Sequence, residues 1–149
     1  MTVIIKQATI EDLDDLVPLF DGYRQFYGQV GNLGMARGFL LERFKHHESI
    51  IFIAREEAGA TVGFTQLYPS FTSAGCARIY ILNDLFVTPG RRGNHVGSGL
   101  LGAAAAFSRR MGAVRLTLST AADNTLAQGV YEGAGWKRSD AFITYNLAL

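Results

Sequence analysis

Apolar and polar positions follow two rhythms along this 149-residue chain. Val3–Lys6 is a short apolar run, read as a strand. After it Leu13, Leu16, Val17, Phe20, Tyr23 and Tyr27 recur every three or four residues, which lines one face of a helix. Thr9-Ile10-Glu11-Asp12, with an acid three residues after the threonine, is a capping-box start for that helix. Pro18 removes a backbone donor and crowds the carbonyl of Asp14, which predicts a kink. Gly28–Gly34 is rich in glycine and reads as a loop. Met35–His47 reads as a second helix with Met35, Phe39, Leu40 and Phe44 inward.

The rhythm then changes to that of strands. Ile50–Arg55 and Thr61–Tyr68 flank a short turn around Gly59, which predicts an antiparallel hairpin. Pro69–Cys76 is a polar loop. Arg78–Val87 is the longest apolar run, too apolar for an edge strand, and Asn83 and Asp84 interrupt it. Polar side chains in a buried strand need partners or a purpose; a bulge or backbone pairing would also account for them. A helix extends from about Leu100 to Met111, followed by a strand at Val114–Leu118. A strand, a helical crossover and a second strand predict a parallel pair. Asp123 or Asn124 caps a last helix through about Glu132, and Trp136–Lys137 and Ala141–Leu147 read as two final strands. The order β-α-α-β-β-β-α-β-α-β-β is that of an α/β chain with a mixed sheet, expected to form one domain over residues 1–149.

Composition narrows the function classes. A net charge of +1 gives no global pull toward nucleic acid or a membrane surface. A single cysteine, Cys76, excludes an internal disulfide and fits a cytoplasmic setting. The first residues lack the apolar core of a signal peptide, and no apolar run approaches the ~18 residues of a membrane span. His46 and His47 are adjacent, not three or four apart on a helix, so no metal site is expected.

The chemistry concentrates in Val87–Gly99, V-T-P-G-R-R-G-N-H-V-G-S-G. A strand, a loop rich in glycine and arginine, and a helix start together make an anion site, because free backbone N–H groups and the helix dipole favour phosphate. Arg91 and Arg92 add two charges able to fork onto phosphate oxygens. A nucleotide-triphosphate loop is excluded, since Gly93–Ser98 has no lysine before the serine. A dinucleotide fingerprint occurs as Gly97-Ser98-Gly99-Leu100-Leu101-Gly102. It lies too far beyond the strand, and Gly99 and Gly102 are better read as allowing close packing on the sheet. The remaining reading is a coenzyme A pyrophosphate loop. Arg92-Gly93-Asn94-His95-Val96-Gly97 resembles the loop of the GNAT superfamily of acyl-CoA-dependent N-acyltransferases: Arg or Gln, two residues, Gly, one residue, Gly or Ala. His95 stands where the first glycine of the pair is usual. A second family segment follows, Asn124 through Tyr131-Glu132 to Gly135-Trp136, so the resemblance spans essentially the whole chain.

The resemblance implies a GNAT fold: a mixed central sheet with splayed parallel strands 79–87 and 113–118, flanked by about four helices. It implies acetyl-CoA as co-substrate, with no metal. Leu85, Phe86 and Val87 would pair with the pantetheine arm, and Arg92, Gly93, Asn94, His95, Val96, Gly97 and Ser98 would surround the pyrophosphate. Asn124 would touch the cofactor arm, compatibly with capping its helix, and Tyr131 would serve the leaving thiolate. A phenol of pKa ~10 protonating a thiolate whose thiol has a pKa of ~8.5 is uphill by about 2 kcal/mol in water, so Tyr131 is read as a hydrogen-bond donor. His95 would have to adopt the left-handed backbone usual for glycine.

The implied acceptor is a small amine or amino acid, and the implied mechanism is direct attack on the thioester. Tyr23, Tyr27 and Asn83 are the candidate acceptor residues, with Phe26 and Tyr68 completing an aromatic pocket suited to a cation. The pattern resembles polyamine-acetylating members, but their glutamate is replaced here by Asn83, which cannot act as a base. It also resembles members acting on D-amino acids or histone-like lysines. Strict alternation after Asn83 would turn Asp84 away from the cofactor, so the proton acceptor stays open, a water held by Asn83, Tyr23 or Tyr27 being one route. The alternatives are a protein-lysine acetyltransferase and a non-catalytic domain that binds acyl-CoA. By resemblance, a homodimer through Ala141–Leu147 is expected.

Overall fold

The computed structural model describes residues 2–149, and in it the first change of rhythm is where the chain leaves the sheet. β1 (Val3–Gln7) leads to Thr9. The Thr9 N–H donates to the Asp12 carboxylate at 2.9 Å, and the Thr9 hydroxyl accepts from the Glu11 N–H, so the capping box forms. A 3-10 turn (Ile10–Asp12) comes before α1 (Leu13–Phe26), which runs through Pro18 as one helix. α2 (Leu33–Lys45) is capped by Asn32, whose side-chain oxygen accepts the Met35 N–H at 3.0 Å. Its inward stripe is Ala36, Leu40 and Phe44, spaced by four. Met35 and Phe39, expected inward, sit one position round the helix and are 59% and 37% exposed.

The remaining strands are β2 (Ile50–Glu56), β3 (Thr61–Thr72), β4 (Ala77–Val87) and β5 (Leu116–Thr117), in the spatial order β1-β2-β3-β4-β5. All neighbours are antiparallel except β4 and β5, the expected parallel pair. β3 runs on to Thr72 through part of the expected polar loop. Pairing with β2 ends at Leu67, so Pro69 lies beyond it on a free edge, where a missing N–H is tolerated. The β5 ladder is shorter than the expected 113–118: only Tyr80↔Leu116 and Ile81↔Thr117 pair.

Alternation along β2 and β3 sorts the two layers. Ile51, Ile53 and Phe64 join Leu13, Leu16, Phe20 and Leu40 in one core beneath α1 and α2. Phe52 points the other way, onto Phe107 of α3 (Val96–Arg110), with ring centroids 5.8 Å apart. Gly63 and Gly99 let α3 lie close to the sheet. A Cβ on Gly99 would come within 2.6 Å of Ile5, and one on Gly63 within 2.9 Å of the Phe86 carbonyl. Gly102, expected to serve the same purpose, has open space beside it. α3 also starts earlier than expected, so Gly97, Ser98 and Gly99 form its first turn.

The described chain divides into two compact units, one ending at Leu118 and the other Ser119–Leu149. The second contains α4 (Thr125–Gly133), capped by Asn124, whose side-chain oxygen accepts the Ala127 N–H at 3.2 Å. The two expected final strands are not present: no described residue after α4 is in a strand. Their apolar residues Phe142, Ile143, Tyr145 and Leu147 are exposed. Composition can mark a segment as strand-like, but a strand exists only where a second edge takes its N–H and C=O groups.

Candidate active site

β4 and the loop after it organise the first unit. β5 leaves β4 after Ile81, so Leu82–Val87 is paired only on the β3 side. The strands therefore part just before Leu85, Phe86 and Val87, the residues expected along a pantetheine arm. Beyond Val87 comes a 3-10 turn (Pro89–Arg91), then a turn that delivers the chain to α3. From Arg92 through Ser98 no backbone N–H has a hydrogen-bond partner among the described residues; the first to be taken is that of Gly99, by the His95 carbonyl at 3.0 Å. Gly93, Asn94, His95 and Ser98 are exposed. A run of free N–H groups ending on an uncapped helix N-terminus is a cradle for a polyanion. A Cβ on Gly97 would meet only Val87, at 3.9 Å, so the first turn is open to a ligand.

His95 takes the strained position expected of it, with φ 63° and ψ 13° at the N-cap of α3. The two arginines divide. Arg91, expected on phosphate, is ion-paired to Glu56 across the end of the β2–β3 hairpin. Arg92 donates its Nε to the Val87 carbonyl at 2.9 Å, and its guanidinium lies over the rings of Phe26 and Phe86 at 5.4 and 5.5 Å. The neighbouring pair Gly93 and Asn94 needs a turn, and Gly93 supplies it with φ 84°.

The polar interruption of β4 is a β-bulge. Leu67 pairs with Leu82 and Gln66 with Asp84, which leaves Asn83 as the extra residue. Tyr80 and Leu82 face α3; Tyr80 meets Phe107 at 5.5 Å. Without the bulge Asp84 would face α3 as well. The extra residue shifts the phase, so Asp84, like Phe86 after it, faces α1. Strict alternation through Asn83 therefore does not hold, and the bulge sets the direction of Asp84.

On the α1 side the three candidate acceptor residues come together. Tyr23 donates its hydroxyl to the Asn83 carbonyl at 3.1 Å, and the Tyr23 and Tyr27 rings lie 4.9 Å apart. Asn83 is exposed, while Asp84 is 1% exposed. Asp84 accepts from Asn83 Nδ2 at 2.8 Å and from Gln66 Nε2 at 2.5 Å. Burial pushes the Asp84 carboxyl above the usual carboxylate range, against the opposing bonds from Asn83, Gln66 and Tyr23. Burial, and after it the Asp84 charge, pushes the Tyr23 and Tyr68 phenols well up, so both stay protonated. Gln66 was not singled out from the sequence; it is fully buried and its Oε1 has no partner among the described residues. The only signal for this cluster was the Asn-Asp pair inside an apolar strand.

In the second unit, Asn124 caps α4 as described, and Tyr131 lies two turns along that helix with its ring 6.2 Å from Trp136.

A parting parallel strand pair that opens beside a run of unpaired N–H groups defines the chain's class. Residues 16–136 match the acetyltransferase (GNAT) family, and the chain belongs to that family of acetyl-CoA-dependent acyltransferases. It is 46% identical over 143 residues to the uncharacterized N-acetyltransferase YhfO of Bacillus subtilis (strain 168), covering 96% of this chain and 95% of that one. A crystal structure of a probable acetyltransferase, 41% identical, superposes with a TM-score of 0.91 over 100% of this chain and 98% of the other. The aminoglycoside N-acetyltransferase AAC(6')-Iy, solved in complex with CoA, shares the fold at 20% identity, with a TM-score of 0.82 over 99% of this chain and 96% of that one.

Proposed function

We propose that the protein moves an acetyl group from acetyl-CoA to the primary amine of a small amine or amino acid, by direct attack on the thioester. The observation that carries this reading is the continuous run of N–H groups from Arg92 through Ser98 that have no partner among the described residues, placed just past the end of a strand that has lost one neighbour. The run suits a pyrophosphate, and the free side of Leu85–Val87 suits the amides of a pantetheine arm, with an N–H there polarising the thioester carbonyl. Asn124 is assigned to the cofactor arm and Tyr131 to the departing thiolate. Tyr23, Tyr27 and Asn83 are assigned to the acceptor. The aromatic wall of Tyr23, Phe26 and Tyr27, with ring spacings of 4.9 to 5.2 Å, supports a cationic acceptor.

The test is release of CoA thiol from acetyl-CoA against a panel of polyamines, amino acids of both hands and a lysine-rich peptide, beside calorimetry of CoA binding. Turnover with a small amine is expected. A preference for the peptide would replace the acceptor class, and tight CoA binding with no thiol release for any amine would leave a binding domain. We also assign the protein as a homodimer through Ala141–Leu147, supported by the exposed apolar side chains of Phe142, Ile143, Tyr145 and Leu147. Sedimentation of the full chain against a variant with Phe142 and Tyr145 changed to serine tests this; two monomeric samples would refute it.

A further inference from the structure

The acceptor end of the site contains a carboxylate that nothing yet uses. Asp84 is buried, and it forms no ion pair among the described residues. The groups that face it are Gln66 and Tyr68 from β3, Asn83 from β4 and Tyr23 from α1. None of them is a cation; Arg43 of α2 acts on Tyr68 from farther off. Ion-paired carboxylates elsewhere in the chain are arranged differently: Asp12 meets Arg55, and Asp21 meets Arg24. A buried carboxylate without a counter-charge is costly unless a proton or a cation reaches it.

The bulge at Asn83 shows what could reach it. That extra residue turns Asp84 onto the α1 side, where the Tyr23 hydroxyl donates to the Asn83 carbonyl at 3.1 Å and the Asn83 side chain donates to Asp84 at 2.8 Å, which sets the hydroxyl beside the carboxylate. The Tyr23 ring also belongs to the aromatic wall. We propose that Asp84 is the terminal proton acceptor of the transfer, reached from the acceptor ammonium through the Tyr23 hydroxyl. This rests on the acetyltransferase reading above. In the step, the Tyr23 O–H turns from the Asn83 carbonyl to Asp84; the ammonium N–H bond breaks as its proton passes to the Tyr23 oxygen, and the Tyr23 O–H bond breaks as its proton passes to an Asp84 oxygen. The products are a neutral amine, an intact phenol and a protonated carboxyl. The nitrogen lone pair is then free to attack the thioester carbonyl; Asp84 afterwards returns its proton to solvent by the same path. Two supporting facts fit. Burial raises the carboxyl toward working pH, which makes it a stronger base. The high phenol values keep Tyr23 a neutral relay at every working pH. Asp84 is a positioning and proton-holding residue acting through Tyr23.

The experiment compares pH profiles of kcat/KM for wild type, Asp84→Asn and Tyr23→Phe, using acetyl-CoA and the fastest primary amine of the panel. Asp84→Asn suits the site, because Gln66 can turn its amide and present the unpartnered Oε1 to the new donor. At pH 7 both variants should lose about 10²-fold. The loss should close as pH nears the amine's own pKa, since the acceptor then arrives neutral, and KM for acetyl-CoA should stay unchanged. A loss that is constant across pH would make Asp84 merely structural and overturn the proposal, as would wild-type rates in either variant. If Asp84→Asn fails to fold, Tyr23→Phe alone decides by the same criterion. Absence of turnover in the wild type with every amine would instead overturn the acetyltransferase reading, and the proton route with it.

Discussion

His95 is a side chain in a backbone conformation that glycine adopts freely, and the consequence of removing it can be worked out. At φ 63° its Cβ crowds the following carbonyl, a cost of roughly 1–2 kcal/mol for an L-residue. The side chain is exposed and caps nothing on α3, so His95→Gly gives up little packing. Glycine is more flexible in the unfolded chain, which takes back roughly 0.5–1 kcal/mol. The net gain is therefore about 0.5–1 kcal/mol, which for a domain of this size raises Tm by about 1–4 °C. His95→Ala is the control: it removes the imidazole but keeps the strained Cβ, and should show no such rise. Because the loop is proposed to bind pyrophosphate through N–H groups, CoA affinity by calorimetry should hold within about 3-fold in the glycine variant. A drop of tenfold or more, about 1.4 kcal/mol, in both variants would mean that the imidazole itself contacts the ligand. A fall in Tm would mean that the side chain stabilises the loop, and the strain argument would be wrong.

Tyr131→Phe should lower kcat by about 10- to 10³-fold with CoA affinity little changed; wild-type turnover would remove Tyr131 from the mechanism. Gly63→Ala should destabilise more than Gly99→Ala in denaturant unfolding, because its new Cβ would meet the Phe86 backbone carbonyl, whereas that of Gly99 meets the movable end of Ile5; overpacking of this kind costs about 1–3 kcal/mol. Acid stability should depend on Asp12 and Asp21. Burial opposes ionisation of Asp12, but the Thr9 N–H, Arg55 and Lys6 outweigh it, and the Asn32 N–H with Arg24 holds Asp21 low. Both folded values lie below the unfolded one, so their contribution is present above the unfolded carboxylate pKa of ~3.9 and is lost as pH falls through the folded values. Asn at either position should lower Tm at pH 7 and flatten its fall between pH 5 and 3; an unchanged acid limb would refute the assignment. Asp84 has the opposite sign: its folded value is raised, so its contribution is lost as pH rises, and Asp84→Asn should keep or gain stability at pH 8.

Local chemistry decided much that could be read from the chain itself. Thr9 and Asp12 cap the first helix, Asn124 caps the last, and the spacing between β4 and α3 rules out a tight dinucleotide turn, each a matter of a few neighbouring residues. The left-handed turn at His95 follows from a loop pattern in which only its side chain is out of place. What the chain alone did not determine depends on partners far away in sequence. Arg91 is claimed by Glu56, a residue on another hairpin. β5 shrinks to Leu116–Thr117 because it diverges from β4, and the apolar run at Ala141–Leu147 forms no strand because no edge receives it. The sharpest case is Asp84. Its own neighbours in sequence place it on the α3 side by strict alternation. Pairing with β3, where Gln66 opposes Asp84 and Leu67 opposes Leu82, inserts one unpaired residue and carries the carboxylate to the side of Tyr23. Register is a property of two strands together, so the orientation of that carboxylate was settled only when the sheet formed.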